Sequence, residues 1–162
     1  MSKIFNEHNW FKYTIKVSLE NLINYDLFEI DMIDLIGGIS VMVSDQGQAV
    51  KFYTEKLGFD IKINMPYKKG KWIEVSPRDS ETTISLRVPD ETMQNDEFKL
   101  VKNSIGLPTG IWLYTKDINS TYNELKGKGV DITPPTRQDW GGMLCKIKDI
   151  DGNTLDLISS PK

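Results

Sequence analysis

One cysteine and one histidine in 162 residues deprive this chain of the materials that several protein classes require. A lone Cys145 excludes an internal disulfide and fits a reducing compartment, so the cytoplasm is the expected location. His8 is the only imidazole, and it lies far upstream of every other patterned segment. No Ser-His-Asp or Cys-His pairing, phosphate-cradling glycine loop or dinucleotide fingerprint is present. Basic residues are not in excess: 20 Lys and Arg stand against 23 Asp and Glu, for a net charge of −3. That balance argues against a nucleic-acid partner, because phosphate contacts need a basic stripe. No apolar run approaches the roughly 18 residues of a membrane span, so no membrane partner is expected. Residues 1–8 carry an acidic side chain and lack the apolar stretch of a secretory signal.

What the chain does have is a repeat. Val43-Ser44-Asp45 through Gly58-Phe59-Asp60-Ile61 is echoed by Thr115-Lys116-Asp117 through Gly129-Val130-Asp131-Ile132. Asp45 and Asp117 are 72 residues apart (117 − 45), and Gly58 and Gly129 are 71 apart (129 − 58). In each copy an alternating apolar run ends at an acidic helix cap, an amphipathic helix follows, and a glycine precedes the next strand. Strict alternation over 39–43 predicts a strand, and Asp45 with Gln48 three residues on predicts a helix to about Leu57. Strands are expected near 59–64, 72–76 and 82–88. The second copy predicts a strand over 110–115, a helix over 118–126, and strands near 131–133, 143–148 and 154–158. Each module is therefore βαβββ, and the fold class is α+β, with two paired modules curling a mixed sheet into a cup.

The expected boundaries are an N-terminal extension over 1–35 and one domain over 36–159. The domain comprises module one over 36–88, a polar linker over 89–108 with a short helix near 96–102, and module two over 109–159. Lys68-Lys69-Gly70-Lys71 reads as a solvated hairpin turn. Asp149, Asp151 and Asn153 lack the later glycine and glutamate of a calcium-binding loop and read as a plain turn around Asp151-Gly152.

Paired βαβββ modules with Phe52-Tyr53, Leu57-Gly58-Phe59, Trp140-Gly141-Gly142 and Asp151-Gly152-Asn153 resemble the glyoxalase / bleomycin resistance / extradiol dioxygenase family, the vicinal oxygen chelate superfamily. The resemblance covers about residues 36–159 and implies lyase, isomerase, dioxygenase or metal-free drug-binding activity, and commonly a homodimer. It places the family's four metal-ligand positions at Gly38, Ser85, Gly110 and Asp156. Of these, only Asp156 would bind a metal well, and transition metals in such cups favour imidazole or several carboxylates. No metal residue and no cofactor are therefore assigned, and catalytic residues are unknown.

Taking Gly38 and Gly110 as inward, alternation turns Ser40, Met42, Trp112 and Tyr114 toward the cup. Ser85 carries Arg87 with it, and Trp72 and Asp156 are placed inward on their own strands. Trp140, before two glycines, reads either as a flap over the cup or as a side chain packed beneath a turn. These nine residues are the candidate ligand-binding set. Arg87 would grip an anionic group or pair with Asp156 or Glu74. The expected partner is a small organic molecule, anionic at one end and partly aromatic, held without a transition metal. The alternatives are a metal-dependent lyase, isomerase or dioxygenase of the same superfamily, and an interaction domain whose cup is filled by side chains.

Overall fold

A computed structural model describes residues 33, 35–68 and 70–160, so the proposed extension over 1–35 and His8 lie almost wholly outside the described residues. Module one is β1 (Gly38–Met42), α1 (Gln46–Lys51), β2 (Asp60–Tyr67), β3 (Gly70–Ser76) and β4 (Thr83–Arg87). The linker carries α2 (Asn95–Asn103). Module two is β5 (Pro108–Tyr114), α3 (Ile118–Gly127), β6 (Asp131–Ile132), β7 (Thr136–Arg137), β8 (Met143–Lys148) and β9 (Thr154–Ser159). The first sheet has the order β1-β4-β3-β2 and the second β5-β9-β8-β6, with β7 on β8. In both, the first strand runs parallel to the last and the remaining pairs are antiparallel. This is the α+β, twice-repeated βαβββ architecture expected from the echo. The two-residue β7 was not foreseen, being too short to show an alternation.

Local chemistry explains why the copies agree. Asp45 and Asp117 are both extended N-caps whose carboxylates accept backbone N–H groups of the first turn, Gln48 in one and Asn119 and Ser120 in the other. Gly58 and Gly129 follow the helix ends at φ 74 and 75, in the left-handed region where a side chain is strained. The first helix is less regular than its sequence suggests. After Lys51 it widens over Phe52–Lys56, where Leu57 N–H reaches back five residues to the Phe52 carbonyl. The Thr54 hydroxyl donates to the Val50 carbonyl within this stretch, a back-bond that competes with the α ladder.

The 72-residue echo reappears as a contact. Lys56 Nζ donates to the Lys128 carbonyl at 2.6 Å, and Lys128 Nζ donates to the Lys56 carbonyl at 3.4 Å. Residues one repeat apart that contact each other reciprocally lie across a local two-fold axis, which passes between the two helix ends. Around that axis one continuous core joins both modules, including Val41, Tyr53, Phe59, Leu86 and Leu125, Cys145 and Leu157. Tyr53 is fully buried, edge-on to Phe52 at 5.5 Å.

The symmetry breaks at the β8–β9 turn, which clasps module one. The Asp149 carboxylate accepts the backbone N–H groups of Asp151 and Asn153, the Asn153 side-chain amide at 2.8 Å and the Tyr53 hydroxyl at 3.4 Å. Asn153 also donates to the Met42 carbonyl at 2.9 Å and accepts the Gly106 N–H at 2.8 Å. Asp151 accepts the backbone N–H and the hydroxyl of Ser44. The turn read from Asp149, Asp151 and Asn153 is thus a tie between modules. Burial pushes the Asp149 carboxyl above its ordinary range against these hydrogen bonds, and burial beside Asp149 pushes the Tyr53 phenol upward.

Candidate functional site

Register fixes which side chains share a face. In the first sheet Ser40 pairs with Ser85, Met42 with Arg87, and Glu74 with Ser85, while Trp72 lies two residues before Glu74 on β3. One face of this sheet therefore carries Ser40, Met42, Trp72, Glu74, Ser85 and Arg87. Val41, Ile73, Val75, Ile84 and Leu86 fill the core on the other. In the second sheet Trp112 pairs with Asp156 and Tyr114 with Ile158, after a bulge between Pro108 and Trp112.

A cavity of about 540 Å³ lies against module one. Trp72, Ser85, Arg87, Tyr67, Lys71 and Gln46 line it, with residues 88–92 of the linker closing one side. The structure thus gathers Trp72, Ser85 and Arg87. Trp112, Tyr114, Trp140 and Asp156 are not on this wall. The modules meet through helices, core and clasp, and among the described residues no strand of one sheet pairs with a strand of the other. Ser40 and Met42 share the cavity's sheet face without lining the cavity. Trp112 and Tyr114 are instead 65% and 72% exposed. Trp140 is half-exposed, and its ring covers Gly142 so closely that a Cβ there would overlap it.

Charges on the two sheet faces are unequally committed. Glu74 accepts Trp72 Nε1 and Thr83 Oγ1, both at 2.7 Å. Asp156 is paired with Lys146 at 3.1 Å in the other sheet. Neither is a partner for Arg87, which has no carboxylate within 4.0 Å among the described residues and sits over the Trp72 ring at 6.0 Å. Tyr67 meets Trp72 edge-on at 5.4 Å. At the rim Lys68 bonds Asp90 at 3.0 Å. The Thr92 hydroxyl and N–H, with Lys68, hold the Asp90 carboxyl well below its usual range, and Asp90 raises Lys68. Gln46 donates to the carbonyls of Lys71 and Leu86, fixing the helix start against β3 and β4.

Sequence reasoning missed Tyr67, Lys71, Gln46 and the 88–92 wall. Tyr67 shares the face of Trp72 only through the hairpin register, which pairs Met65 with Trp72, and a single-strand alternation does not supply it. Cys145 is fully buried, and burial pushes its thiol upward, away from nucleophilic use.

The metal-ligand positions that the resemblance implies carry few donors in this chain. Gly38 and Gly110 offer no side-chain donor, Asp156 is ion-paired, and among the described residues no three His, Cys, Asp or Glu side chains cluster to hold one. No helix among them is long and apolar enough to cross a membrane.

Known proteins agree with this architecture. YetH of Bacillus subtilis (strain 168) is 35% identical over 126 residues, 76% of this chain and 97% of its own. TnmS3, an antibiotic binding protein from Streptomyces sp. CB03234, superposes with a TM-score of 0.67 at 30% identity, covering 81% of this chain and 98% of its own. A superfamily member from Sphaerobacter thermophilus DSM 20745 gives 0.69 at 30% identity, covering 80% and 99%. The family model itself matches residues 35–157. The chain belongs to the Glyoxalase/Bleomycin resistance protein/Dioxygenase superfamily.

Proposed function

We propose that this chain binds a small, flat organic anion in the module-one cavity without a transition metal, as a sequestering protein rather than a metal enzyme. The observation that carries the reading is Arg87: a half-buried arginine with no carboxylate partner among the described residues, its guanidinium carbon 6.0 Å from the centre of an indole ring in a cavity of ligand size. Trp72 and Tyr67 offer a surface for an aromatic body, and Arg87 a planar fork for its charge. The similarity to an antibiotic binding protein supports sequestration.

Naphthalene-2-sulfonate is a suitable probe, being flat and anionic. Calorimetric titration should show saturable one-to-one binding, weakened roughly 10-fold in Trp72→Ala by loss of stacking. Absence of binding, or an unchanged affinity in the variant, would remove the cavity from consideration.

The chain would act as a homodimer in the cytoplasm. Trp112 and Tyr114 lie side by side on β5, an edge strand, and their exposure is that of a face awaiting cover. A second copy of the chain is proposed to cover it. Light scattering should return about twice the 18.5 kDa chain mass, and Trp112→Glu should return the single-chain value. A wild-type mass of one chain would contradict the dimer.

A further inference from the structure

We propose that the linker segment 89–105 is a lid on the module-one cavity, latched by the ion pair of Lys68 with Asp90, and that opening of this latch controls ligand entry and exit. The proposal rests on the cavity reading above and adds its regulation. Pro89, Asp90, Glu91 and Thr92 form part of the cavity wall. The segment is fixed at both ends: the Arg87 carbonyl before it accepts the Val43 N–H at 2.8 Å, and the Gly106 N–H after it donates to Asn153 in the clasp. Between these ends, among the described residues, the Lys68–Asp90 contact at 3.0 Å is the one hydrogen bond or ion pair joining residues 89–105 to the rest of the chain. The others close within the linker. No residue of α2 is buried, so the core does not pin the segment either. A stretch with few buried contacts opens at low cost, and lids are drawn from such stretches.

Asp90 divides its bonds between its two oxygens. Oδ1 accepts the N–H and the hydroxyl of Thr92, which builds the local turn, and Oδ2 accepts Lys68 Nζ. Lys68 follows β2 at the hairpin turn, its ammonium 5.7 Å from the centre of the Tyr67 ring, which itself lines the cavity. The latch therefore joins the hairpin wall of the cavity to its linker wall. An exposed ion pair is weak and reversible, which suits a latch that must open without unfolding the domain.

Two variants isolate the latch. Asp90→Asn keeps an oxygen for Thr92 and removes the charge facing Lys68, while Lys68→Met keeps an unbranched stem at the same left-handed backbone position, φ 50. Binding of naphthalene-2-sulfonate is followed by stopped-flow fluorescence. An opening step that precedes both entry and exit scales both rate constants alike, so each variant should raise kon and koff about 3-fold and keep Kd within about 2-fold. The double variant should match the single ones, because the pair is broken only once. A field effect at the rim behaves differently: removing an acid speeds entry of an anion, and removing a base slows it. Opposite changes in kon for the two variants, or unchanged rates in both, would overturn the lid and leave the cavity reading standing. No binding of the probe to wild type would overturn both. A ligand-free arm reads the lid directly: amide hydrogen exchange over 89–105 should quicken about 3-fold in both variants while β3 and β4 keep their wild-type protection. Unchanged exchange across the segment would overturn the lid whatever the kinetics show.

Discussion

Asn153→Ala should lower the unfolding free energy by about 3–5 kcal/mol, the largest loss expected from any single polar side chain among the described residues. The side chain is 1% exposed and makes three hydrogen bonds, to Gly106 N–H, the Met42 carbonyl and Asp149. Truncation leaves each of those partners short of one bond. A part-buried group so deprived costs about 1–3 kcal/mol, and the charged Asp149 stands at the upper end. For a chain of this length the midpoint should fall by about 10 °C. Ser44→Ala, which removes an exposed hydroxyl from Asp151 in the same clasp, should cost under about 1 kcal/mol and serves as the control. Near-UV circular dichroism during heating would report both. A loss below about 1 kcal/mol for Asn153→Ala would mean that the modules do not depend on the clasp.

That comparison shows how unevenly the sequence disclosed its structure. Asp151-Gly152-Asn153 was legible as a turn, because turn residues act on their own backbone. Its role as a tie between modules was not, since Met42 and Asn153 are 111 residues apart and nothing local marks such a pair. The helices and most strands were legible for the opposite reason. Asp45, Asp117, Gly58 and Gly129 act within a few residues of themselves, and two copies of the same local grammar reinforce each other. The repeat even anticipated a tertiary fact, since Lys56 and Lys128 meet across the axis that an equal offset implies.

The faces of the candidate residues were legible from alternation. Alternation put Trp72, Ser85 and Arg87 on one side of one sheet and Trp112, Tyr114 and Asp156 on one side of the other, as register also has them. Alternation carries no information about how two sheets sit against each other. Side-chain pairing was equally illegible: whether Arg87 met Glu74 or Asp156 depended on Trp72 Nε1, Thr83 and Lys146 competing for those carboxylates. Among the described residues, that competition leaves the guanidinium without a carboxylate.

Arg87→Met should therefore weaken naphthalene-2-sulfonate by roughly 10- to 150-fold, the equivalent of about 1.5–3 kcal/mol for a hydrogen bond to a charged group. Methionine keeps much of the aliphatic stem that packs beside Trp72, so the change isolates the charge. Naphthalene-2-sulfonamide, neutral and of nearly the same shape, should bind wild type and variant within about 3-fold of each other, because its loss is that of a neutral bond. Arg87→Lys should fall between, retaining charge without the planar fork. Because the guanidinium is half-buried, the difference between sulfonate and sulfonamide should survive added salt better than a surface ion pair would. If Arg87→Met weakens both probes equally, the side chain shapes the cavity and does not read charge. If it weakens neither, anions are bound away from the guanidinium, and Arg87 loses its assigned role.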